Sequence, residues 1–401
     1  MSLRKNLCDF RLFIVLAIAL HGAGAAVHAA DGTVRFLAGP KSRGAPDDLE
    51  SELTAFLADA CCSLDILVQE WDHPELARAL IDRVRGLSTH RRRLKVRVVV
   101  EMDYLLAKAP LPETGGSRPG VTAGIGPEVL PDSLDVNRQI ISDFWRAGID
   151  IRPDYNPAIF HHKFVVRDYG LKNEAVWTGS MNFTRTDARV NFNNAVIITG
   201  PQIVRAYRTK FMEAWSGAFG RRVKRQPKLP GWVELSGGSR NRVLFTPASD
   251  AESELVAMVD GATEEVRFAI FTFSESSALT DAVIRAARRG VRCIGLFDAG
   301  QAGQSWSPDE RIEEAGCEVL RSPPPGKLHH KFLVVDGRRL ATGSFNYTRP
   351  ANELNDENVY FADSGPLADA AVAEHERLRR DFGSKKAKPG RKRTKPSVQR
   401  Q

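Results

Sequence analysis

Two kinds of apolar pattern recur along this chain, and together they predict strands that alternate with helices. Continuous β-branched runs at Val96–Glu101 and Val291–Phe297 are typical of buried strands. Segments Pro74–Arg85 and Ser277–Arg289 have apolar residues at helical spacing, and each is followed by a glycine. Because strands and helices alternate, the pattern predicts an α/β fold with a largely parallel sheet.

The pattern is present twice, in the same order. The sequence ESEL at Glu50 recurs at Glu252, which is 202 residues later. The sequence GIDI at Gly148 corresponds to GCEV at Gly316, at an offset of 168 residues. Matches that keep their order indicate an internal duplication, so we expect two similar halves.

Breaks in this pattern set the expected domain boundaries. Basic residues and the turn-forming sequences LPG and SGGS separate the two halves. We expect a signal peptide at 1–30, a first half at 31–220, a linker at 221–241, a second half at 242–384 and a basic tail at 385–401. The first half also has a Gly- and Pro-rich insertion at 104–135, which suits either a rim that restricts substrate access or a tolerated surface loop.

The first thirty residues have the parts of an export signal. Basic residues come first, an apolar run follows at Leu12–Leu20, and VHAA before Asp31 supplies small residues for cleavage. The apolar run is short for a bilayer span, which favours cleavage over an uncleaved membrane anchor. We therefore expect an exported protein, either periplasmic or secreted.

The net charge of the chain, formally +8, is concentrated at its C-terminus. The tail at 385–401 contains eight Lys and Arg residues and no acidic residue, so the body of the protein is close to neutral. A tail without apolar periodicity is expected to be disordered. It suits an anionic partner such as nucleic acid, acidic lipid or a cell-wall polymer, although a merely solvated tail explains it equally well.

A set of residues suited to phosphate chemistry occurs once in each half. The first set is His161, Lys163, Asp168, Gly179, Ser180 and Asn182; the second is His329, Lys331, Asp336, Gly343, Ser344 and Asn346. Residues two apart on a strand share a face, so each histidine lies beside a lysine. Lysine supplies a point charge, Ser and Asn supply neutral donors, and histidine serves as nucleophile or proton carrier.

Both sets resemble the HxK(x)4D(x)6GSxN signature of the phospholipase D superfamily, the HKD phosphodiesterases. The second copy fits fully, with six residues between Asp336 and Gly343, whereas the first has ten between Asp168 and Gly179. This difference predicts a longer hairpin loop at Tyr169–Ala175. The resemblance implies two pseudo-twofold-related α-β-α sandwich halves with the active site at their interface. A monomer is expected, because both motifs lie in one chain.

The resemblance also implies a two-step reaction that needs no cofactor and no metal. One histidine attacks phosphorus to give a covalent phosphohistidine, and the other protonates the leaving oxygen and then activates water or an alcohol. The non-bridging oxygens would be bound by motif side chains: Lys163, Lys331, Asn182, Asn346, Ser180 and Ser344. Asp168 and Asp336 belong to the catalytic motif but are expected to support the hairpins, and His162 and His330 are expected to be structural.

One acidic residue breaks the symmetry of the two sets. Glu357 follows the second GSxN segment at the place where the first half has Asn193. In relatives an acidic residue here orients the catalytic histidine, so we assign Glu357 to His329, which becomes the more basic imidazole. The pairing with Glu357 favours His329 as nucleophile, whereas relatives with two motifs commonly use the N-terminal histidine. We therefore favour His161 as nucleophile and His329 as acid and base.

Three activities fit these motifs. A phospholipid head group fits export, a neutral body and a rim loop, and we favour a phospholipase D that gives phosphatidic acid and an alcohol. A nucleic acid fits the basic tail, and GSFNYT with NDENVY resembles small bacterial HKD nucleases and mitochondrial cardiolipin hydrolases. Transphosphatidylation of the cardiolipin-synthase kind is third, because those enzymes usually carry membrane helices and no stretch after residue 30 looks transmembrane.

Overall fold

Two β-sheets that pack around a pair of helices form the core of the structure. It is a computed structural model that describes residues 32–88, 94–104, 131–222 and 231–384. The expected signal peptide at 1–30, the basic tail at 385–401 and residues 105–130 of the insertion lie outside these ranges.

The two sheets share one topology. The first sheet contains β1 Val34–Gly39, β2 Ser63–Val68, β3 Lys95–Val100, β4 Asp150–Pro153, β5 Lys163–Arg167, β6 Ala175–Gly179 and β7 Asn193–Ile198. The second contains β8 Val233–Leu235, β9 Ser239–Thr246, β10 Glu265–Ile270, β11 Arg292–Phe297, β12 Glu318–Arg321, β13 Lys331–Val335, β14 Arg339–Gly343 and β15 Glu357–Asp363. The strand order β1-β7-β6-β5-β2-β3-β4 of the first sheet recurs as β9-β15-β14-β13-β10-β11-β12 in the second, with β8 added beside β9.

The helices also correspond between the halves. Those of the first half are α1 Leu49–Ala58, α2 Pro74–Ser88, α3 Pro131–Arg146, α4 Arg185–Arg189 and α5 Pro201–Trp215. Those of the second half are α6 Ala251–Asp260, α7 Ala278–Arg288, α8 Asp309–Glu314, α9 Arg349–Glu353 and α10 Gly365–Ser384. Asp48 and Asp250 cap α1 and α6 in the same way, each accepting a backbone N–H from the serine of the repeated ESEL sequence.

Each described sheet is mixed, and the expectation of a largely parallel sheet is wrong. Strands β2, β3 and β4 run parallel, as do β10, β11 and β12. The other strands pair antiparallel, because each motif hairpin returns to the sheet without a crossover helix. The hairpin β5–β6 therefore lies in the middle of the first sheet and β13–β14 in the middle of the second.

The core lies in three layers. Helices α5 and α10 pack between the sheets, where residues such as Tyr207, Phe211 and Leu378 are fully buried. Helices α1, α2 and α3 cover the outer face of the first sheet, and α6, α7 and α8 cover that of the second. Each half is thus an α-β-α sandwich, which confirms the fold that the family resemblance implies.

Some boundaries differ from those expected. Helix α2 continues through Gly86 to Ser88, since a single glycine within a helix that is packed on a sheet is tolerated. Strand β8 and the first residues of β9 lie within 221–241, so the second sheet begins inside the segment expected to be a linker. Among the described helices, all are too short or too polar to cross a bilayer.

Candidate active site

The two motif lysines open the hairpin strands and are fully buried. Lys163 is the first residue of β5 and Lys331 is the first residue of β13. Each ammonium donates a hydrogen bond of 2.9 Å to the carbonyl oxygen of the histidine two residues earlier. Lys163 also donates to Gln69 Oε1 at 3.0 Å, whereas the ammonium of Lys331 lies 5.3 Å from the ring centre of Phe271. An ammonium has three protons, so donors remain for a bound phosphate.

Backbone hydrogen bonds between the halves bring the two motif histidines to one place. The N–H of His161 donates to the carbonyl of Asp356 in the second half at 2.9 Å. The N–H of His329 donates to the carbonyl of Phe192 in the first half, also at 2.9 Å. Each histidine is therefore fixed to the opposite half, and the site is assembled at the interface.

Glu357 contacts His161, and its expected pairing with His329 is wrong. Its Oε2 lies 2.6 Å from Nδ1 of His161, and the Ser344 hydroxyl donates to the same oxygen at 2.7 Å. The cause is the packing of the halves. Strand β15 begins at Glu357, directly after the residue whose carbonyl binds the backbone of His161.

His329 has an amide and a carboxylate at the corresponding place. Oδ1 of Asn193 lies 3.0 Å from Nδ1 of His329, so Asn193 belongs to this histidine and not to His161. Oδ2 of Asp187 lies 3.4 Å from the same nitrogen. Because Nδ1 of each histidine is engaged by the protein, Nε2 is the ring nitrogen that remains for a substrate.

The glycines of the GSxN segments end β6 and β14, and their backbones pass close to the neighbouring strands β7 and β15. A Cβ on Gly179 would collide with the carbonyl oxygen of Asn194, and one on Gly343 would collide with that of Asn358. Only glycine permits this approach of two backbones. The tight passage places the following Ser and Asn beside the histidines.

The serines of these segments orient protein groups, and their expected role as phosphate ligands is corrected. The hydroxyl of Ser180 donates to Asn193 Oδ1 at 2.8 Å, and that of Ser344 donates to Glu357. A hydroxyl has a single proton, and here it is already donated. Both serines therefore hold the residue that contacts a histidine.

The asparagines of the GSxN segments have amide groups available for a ligand. Oδ1 of Asn182 and Oδ1 of Asn346 are buried and have no hydrogen-bond partner in the described part of the chain. Buried polar atoms are normally satisfied, so these two amides are suited to a bound molecule or water. The unpaired oxygens are acceptors, whereas the Nδ2 group of each amide is the part that can donate to a phosphate, as the two lysines can.

Burial shifts the pKa values of the central groups. It lowers the pKa of His161 and of His329 well below the usual value, and the neighbouring lysines lower both further. Burial raises the pKa of Glu357 to about 8, although Lys163, Ser344 and Lys331 all favour its ionised form. Burial lowers the pKa of Lys163 to about 8. A neutral His161 that donates its Nδ1 proton to Glu357 has a free lone pair on Nε2, which attack on phosphorus requires.

Both halves match one protein family. The sequence model of the family described as "Cardiolipin synthase, PLD-like domain" matches residues 53–215 and 255–379, which include both histidine motifs. The chain belongs to the phospholipase D superfamily. It is a phosphodiesterase of that superfamily.

The chain is similar in sequence to two named proteins and in structure to a third. "Phospholipase D" of Rickettsia bellii (strain RML369-C) is 33% identical over 146 residues, which are 36% of this chain and 72% of that protein. "Mitochondrial cardiolipin hydrolase" of Xenopus tropicalis is 35% identical over 132 residues, which are 33% of this chain and 62% of that protein. The structure of phosphatidylserine synthase from Haemophilus influenzae Rd KW20 covers 87% of this chain and 86% of its own, with a TM-score of 0.59 and 12% identity, and so shares the fold.

The aspartates of the superfamily motif anchor the hairpins, as expected, and lie away from the reacting groups. Asp168 follows the last residue of β5 and accepts the backbone N–H groups of Cys61, Cys62 and Ser63. Asp336 follows β13 and accepts the N–H groups of residues 263–265. Each lies at the opposite end of its strand from the motif lysine. Counting them with the catalytic residues is therefore corrected, because they act on the backbone.

The second histidine of each HHK sequence is structural, as expected. His330 contacts Asn194 of the first half through Nδ1 at 3.2 Å and Glu374 through Nε2 at 3.2 Å. His162 lies 3.5 Å from Asn358 of the second half. The contacts with Asn194 and Asn358 join the two halves.

Sequence reasoning missed two carboxylates that support the histidines. Oε2 of Glu101 accepts the N–H of Phe160 at 2.6 Å, and Oδ2 of Asp298 accepts the N–H of Leu328 at 2.9 Å. Each holds the residue directly before a motif histidine. Each also follows the last residue of a parallel strand, β3 or β11, where α/β folds place functional groups, and that position is the signal that could have revealed them.

A group that could hold a metal lies at the far end of the first hairpin. Ligand atoms of Cys61, Cys62 and Asp168 lie within 4.8 Å of one another. Burial raises the pKa of the Cys61 thiol to about 12, and both oxygens of Asp168 accept backbone N–H groups. These atoms are poorly suited to a cation, and they lie at the other end of β5 from the histidines.

Proposed function

We propose that this protein is a phospholipase D-type hydrolase that releases phospholipid head groups, giving phosphatidic acid and an alcohol. The observation that carries the proposal is the pair of histidines. Nδ1 of each histidine is held by the first residue of a strand from the opposite half: Glu357 of β15 for His161 and Asn193 of β7 for His329. Such a pair supplies one nucleophile and one proton carrier to a single phosphorus atom.

In the first step, Nε2 of neutral His161 attacks phosphorus. A P–N bond forms while the P–O bond to the head-group alcohol breaks. The negative charge of the bound diester raises the pKa of His329, which holds a proton and donates it from Nε2 to the leaving oxygen. Glu357 accepts the Nδ1 proton of His161 in a hydrogen bond and stabilises the positive charge that the ring acquires.

In the second step, water enters where the alcohol left. His329 accepts one proton of the water as its oxygen attacks phosphorus, and the P–N bond breaks. His161 returns to its neutral form, and phosphatidic acid leaves. The same step with an alcohol in place of water gives transphosphatidylation, so the reaction products separate these two activities.

The charge on the non-bridging oxygens is met by Lys163 and Lys331, with the amides of Asn182 and Asn346. Fixed donors in a buried site stabilise developing charge strongly, because they do not need to reorganise. We therefore propose a reaction that is independent of metal ions.

Exposed apolar side chains at the site support a lipid substrate. Ile159, two residues before His161, is 45% exposed, and Leu354, three residues before Glu357, is 39% exposed. Ile159 and Leu354 lie next to one backbone contact between the halves, in which the N–H of Asp356 donates to the carbonyl of Ile159. Exposed aliphatic groups beside a phosphodiester site suit acyl chains better than they suit the polar backbone of a nucleic acid.

A nuclease is the second candidate, favoured by the basic tail. Residues 385–401 contain eight Lys and Arg and no acidic residue, and such a segment binds nucleic acid phosphates in a salt-dependent way. It suits an anionic membrane surface as well. We also propose that the enzyme is exported and monomeric. The mass of the protein recovered from the periplasm or medium tests cleavage of residues 1–30, and its hydrodynamic mass tests the monomer.

One assay separates these functions. Purified mature protein is incubated in EDTA with phosphatidylcholine or phosphatidylglycerol vesicles, with plasmid or single-stranded DNA, and with soluble bis(p-nitrophenyl) phosphate. We expect cleavage of lipid and of the soluble diester, with His161→Ala and His329→Ala as blanks. Cleavage of DNA alone would exclude the lipase, and loss of activity in EDTA would exclude the metal-free reaction.

A second variant tests the lipid surface. The double substitution Ile159→Asp/Leu354→Asp should reduce hydrolysis of vesicles and leave hydrolysis of the soluble diester unchanged. Equal activity on vesicles would show that these side chains do not meet the lipid.

A further inference from the structure

The carboxylate beside each histidine occupies a different sequence position in the two halves. Glu357 of the second half corresponds to Asn193 of the first, so the first half lacks an acid at that strand position. Asp187 of the first half corresponds to Ala351 of the second, where the acid is missing instead.

This correspondence is also structural. Asp187 lies in α4 and donates its N–H to the capping hydroxyl of Thr184 at 3.1 Å. Ala351 lies in α9 and donates its N–H to the capping hydroxyl of Thr348 at 3.3 Å. The two residues therefore occupy the same turn of equivalent short helices, each just before the strand that reaches the site.

Asp187 is buried, and its carboxylate reaches three parts of the site. Oδ2 lies 3.4 Å from Nδ1 of His329 and accepts the N–H of Asn182 at 2.7 Å. Oδ1 accepts Nδ2 of Asn191 at 2.6 Å. The group is held between the motif and the strand, and both of its oxygens are fixed.

His329 lies among groups that oppose its positive charge. Its pKa is lowered first by burial and then by four neighbouring bases: Lys331, Lys163, His161 and Lys327. The Asn193 oxygen accepts a hydrogen bond from the ring but has no formal charge to offset these bases. Asp187 brings a carboxylate into contact with the same ring nitrogen.

We propose that Asp187 is the positioning carboxylate of His329, as Glu357 is for His161. The inference rests on the proposed function, in which His329 is an imidazolium while it holds the proton for the leaving oxygen. Asp187 stabilises that charge, and Asn193 fixes the direction of the ring. Each histidine thus has one carboxylate, although the two acids lie at different positions in the repeat.

The second half supplies the design of the test. Ser344 and Asn355 hold Glu357 there, donating to its two oxygens. Ser180 and Asn191 occupy the same places in the first half. A glutamate at position 193 would therefore find the same two partners.

Asp187→Ala and the double variant Asp187→Ala/Asn193→Glu form the decisive pair. We expect Asp187→Ala to lower kcat on phosphatidylcholine vesicles roughly 100-fold, because the head-group alcohol needs a proton to leave. The double variant should be roughly tenfold or more faster than Asp187→Ala. Glu353→Gln removes a partly exposed acid from α9 and is the matched control, with unchanged kcat. An active Asp187→Ala, or a folded double variant no better than the single one, would overturn the proposal.

A pH profile separates a charge effect from a structural one. Asp187→Asn keeps the shape of the side chain and should lower the pKa of His329. With phosphatidylcholine vesicles, whose alcohol must leave with a proton, the general acid must be protonated, so the alkaline limb of kcat should move to lower pH by about one unit. An unmoved limb in a folded variant would overturn the proposal.

The failure of the proposed function is distinguishable from the failure of this inference. If the wild type cleaves none of the substrates, the proposed function fails. NMR titration of the ¹⁵N-labelled imidazoles then still reports whether Asp187→Asn lowers the pKa of His329. An unchanged pKa in that titration would overturn the role of Asp187.

Discussion

Glu357 and His161 lie 2.6 Å apart, although they belong to different halves and are separated by 196 positions in sequence. The second pair, His329 and Asn193, also forms across the interface. Neither half alone therefore holds an oriented histidine. Catalysis therefore depends on the packing of the two halves against each other.

Replacing Glu357 by Gln should lower kcat, because glutamine keeps the shape of the side chain but cannot stabilise the charge on His161. We expect a loss of roughly 100- to 10,000-fold on the soluble diester, with a smaller change in KM. Steady-state kinetics of the folded variant measure this, with Glu353→Gln as the control. Wild-type activity in Glu357→Gln would show that His161 does not depend on this contact.

The residues of the site could be predicted from the sequence, whereas their partners could not. The HxK and GSxN spacings are local, so they identify His161, His329 and both lysines without knowledge of the fold. The partner of Glu357 depends on how the two halves pack. The two copies of the motif allow Glu357 to pair with the histidine of its own half or with that of the opposite half. Only the backbone contacts between the halves decide between these two pairings.

The division of labour between the histidines should determine which variant keeps a covalent intermediate. The p-nitrophenolate ion leaves without a proton, so His329→Ala should still form a phosphohistidine on His161 but fail to activate water. We expect the phosphoenzyme to accumulate in His329→Ala and to be absent in His161→Ala, measured by mass spectrometry after alkaline quenching. Phosphate found on His329 in the wild type would reverse the two roles.

The directions of the strands within each sheet and the role of Asp187 also could not be predicted from the sequence. A local apolar pattern identifies β5 and β13 as strands but does not say which strand each hairpin joins, and both join antiparallel. Asp187 lies in the short polar sequence RTDAR, which has no periodicity and is typical of a surface turn. Its burial follows from the packing of α4 against the motif, which involves contacts distant in sequence.

Alkaline pH should inhibit the enzyme, because the lysines that bind phosphate lose their protons. Burial lowers the pKa of Lys163 to about 8, and burial together with Lys163 lowers the pKa of Lys331 well below its usual value. The charged lysine is the active form, so kcat/KM should fall as the pH rises through about 8, by up to about tenfold per unit. A profile that stays level to about pH 10 would contradict this assignment.

A buried ion pair between the halves should stabilise the fold as well as the site. Oδ1 of Asp356 lies 3.1 Å from Nζ of Lys210, and Oδ2 accepts the N–H of Gly220 and Nδ2 of Asn156, each at 2.8 Å. All three partners belong to the first half, and the backbone of Asp356 also binds His161. Loss of this carboxylate would leave the buried Lys210 charge with Glu213 Oε2 alone, at 3.9 Å.

Asp356→Asn should therefore lower the free energy of unfolding by roughly 3–5 kcal/mol, because an unpaired buried charge is costly. Urea unfolding measures the change. The double variant Asp356→Asn/Lys210→Met removes both charges and should recover most of the loss, since an apolar side chain of similar length can replace a buried ion. If Asp356→Asn lost less than about 1 kcal/mol, the pair would be no stronger than an exposed one.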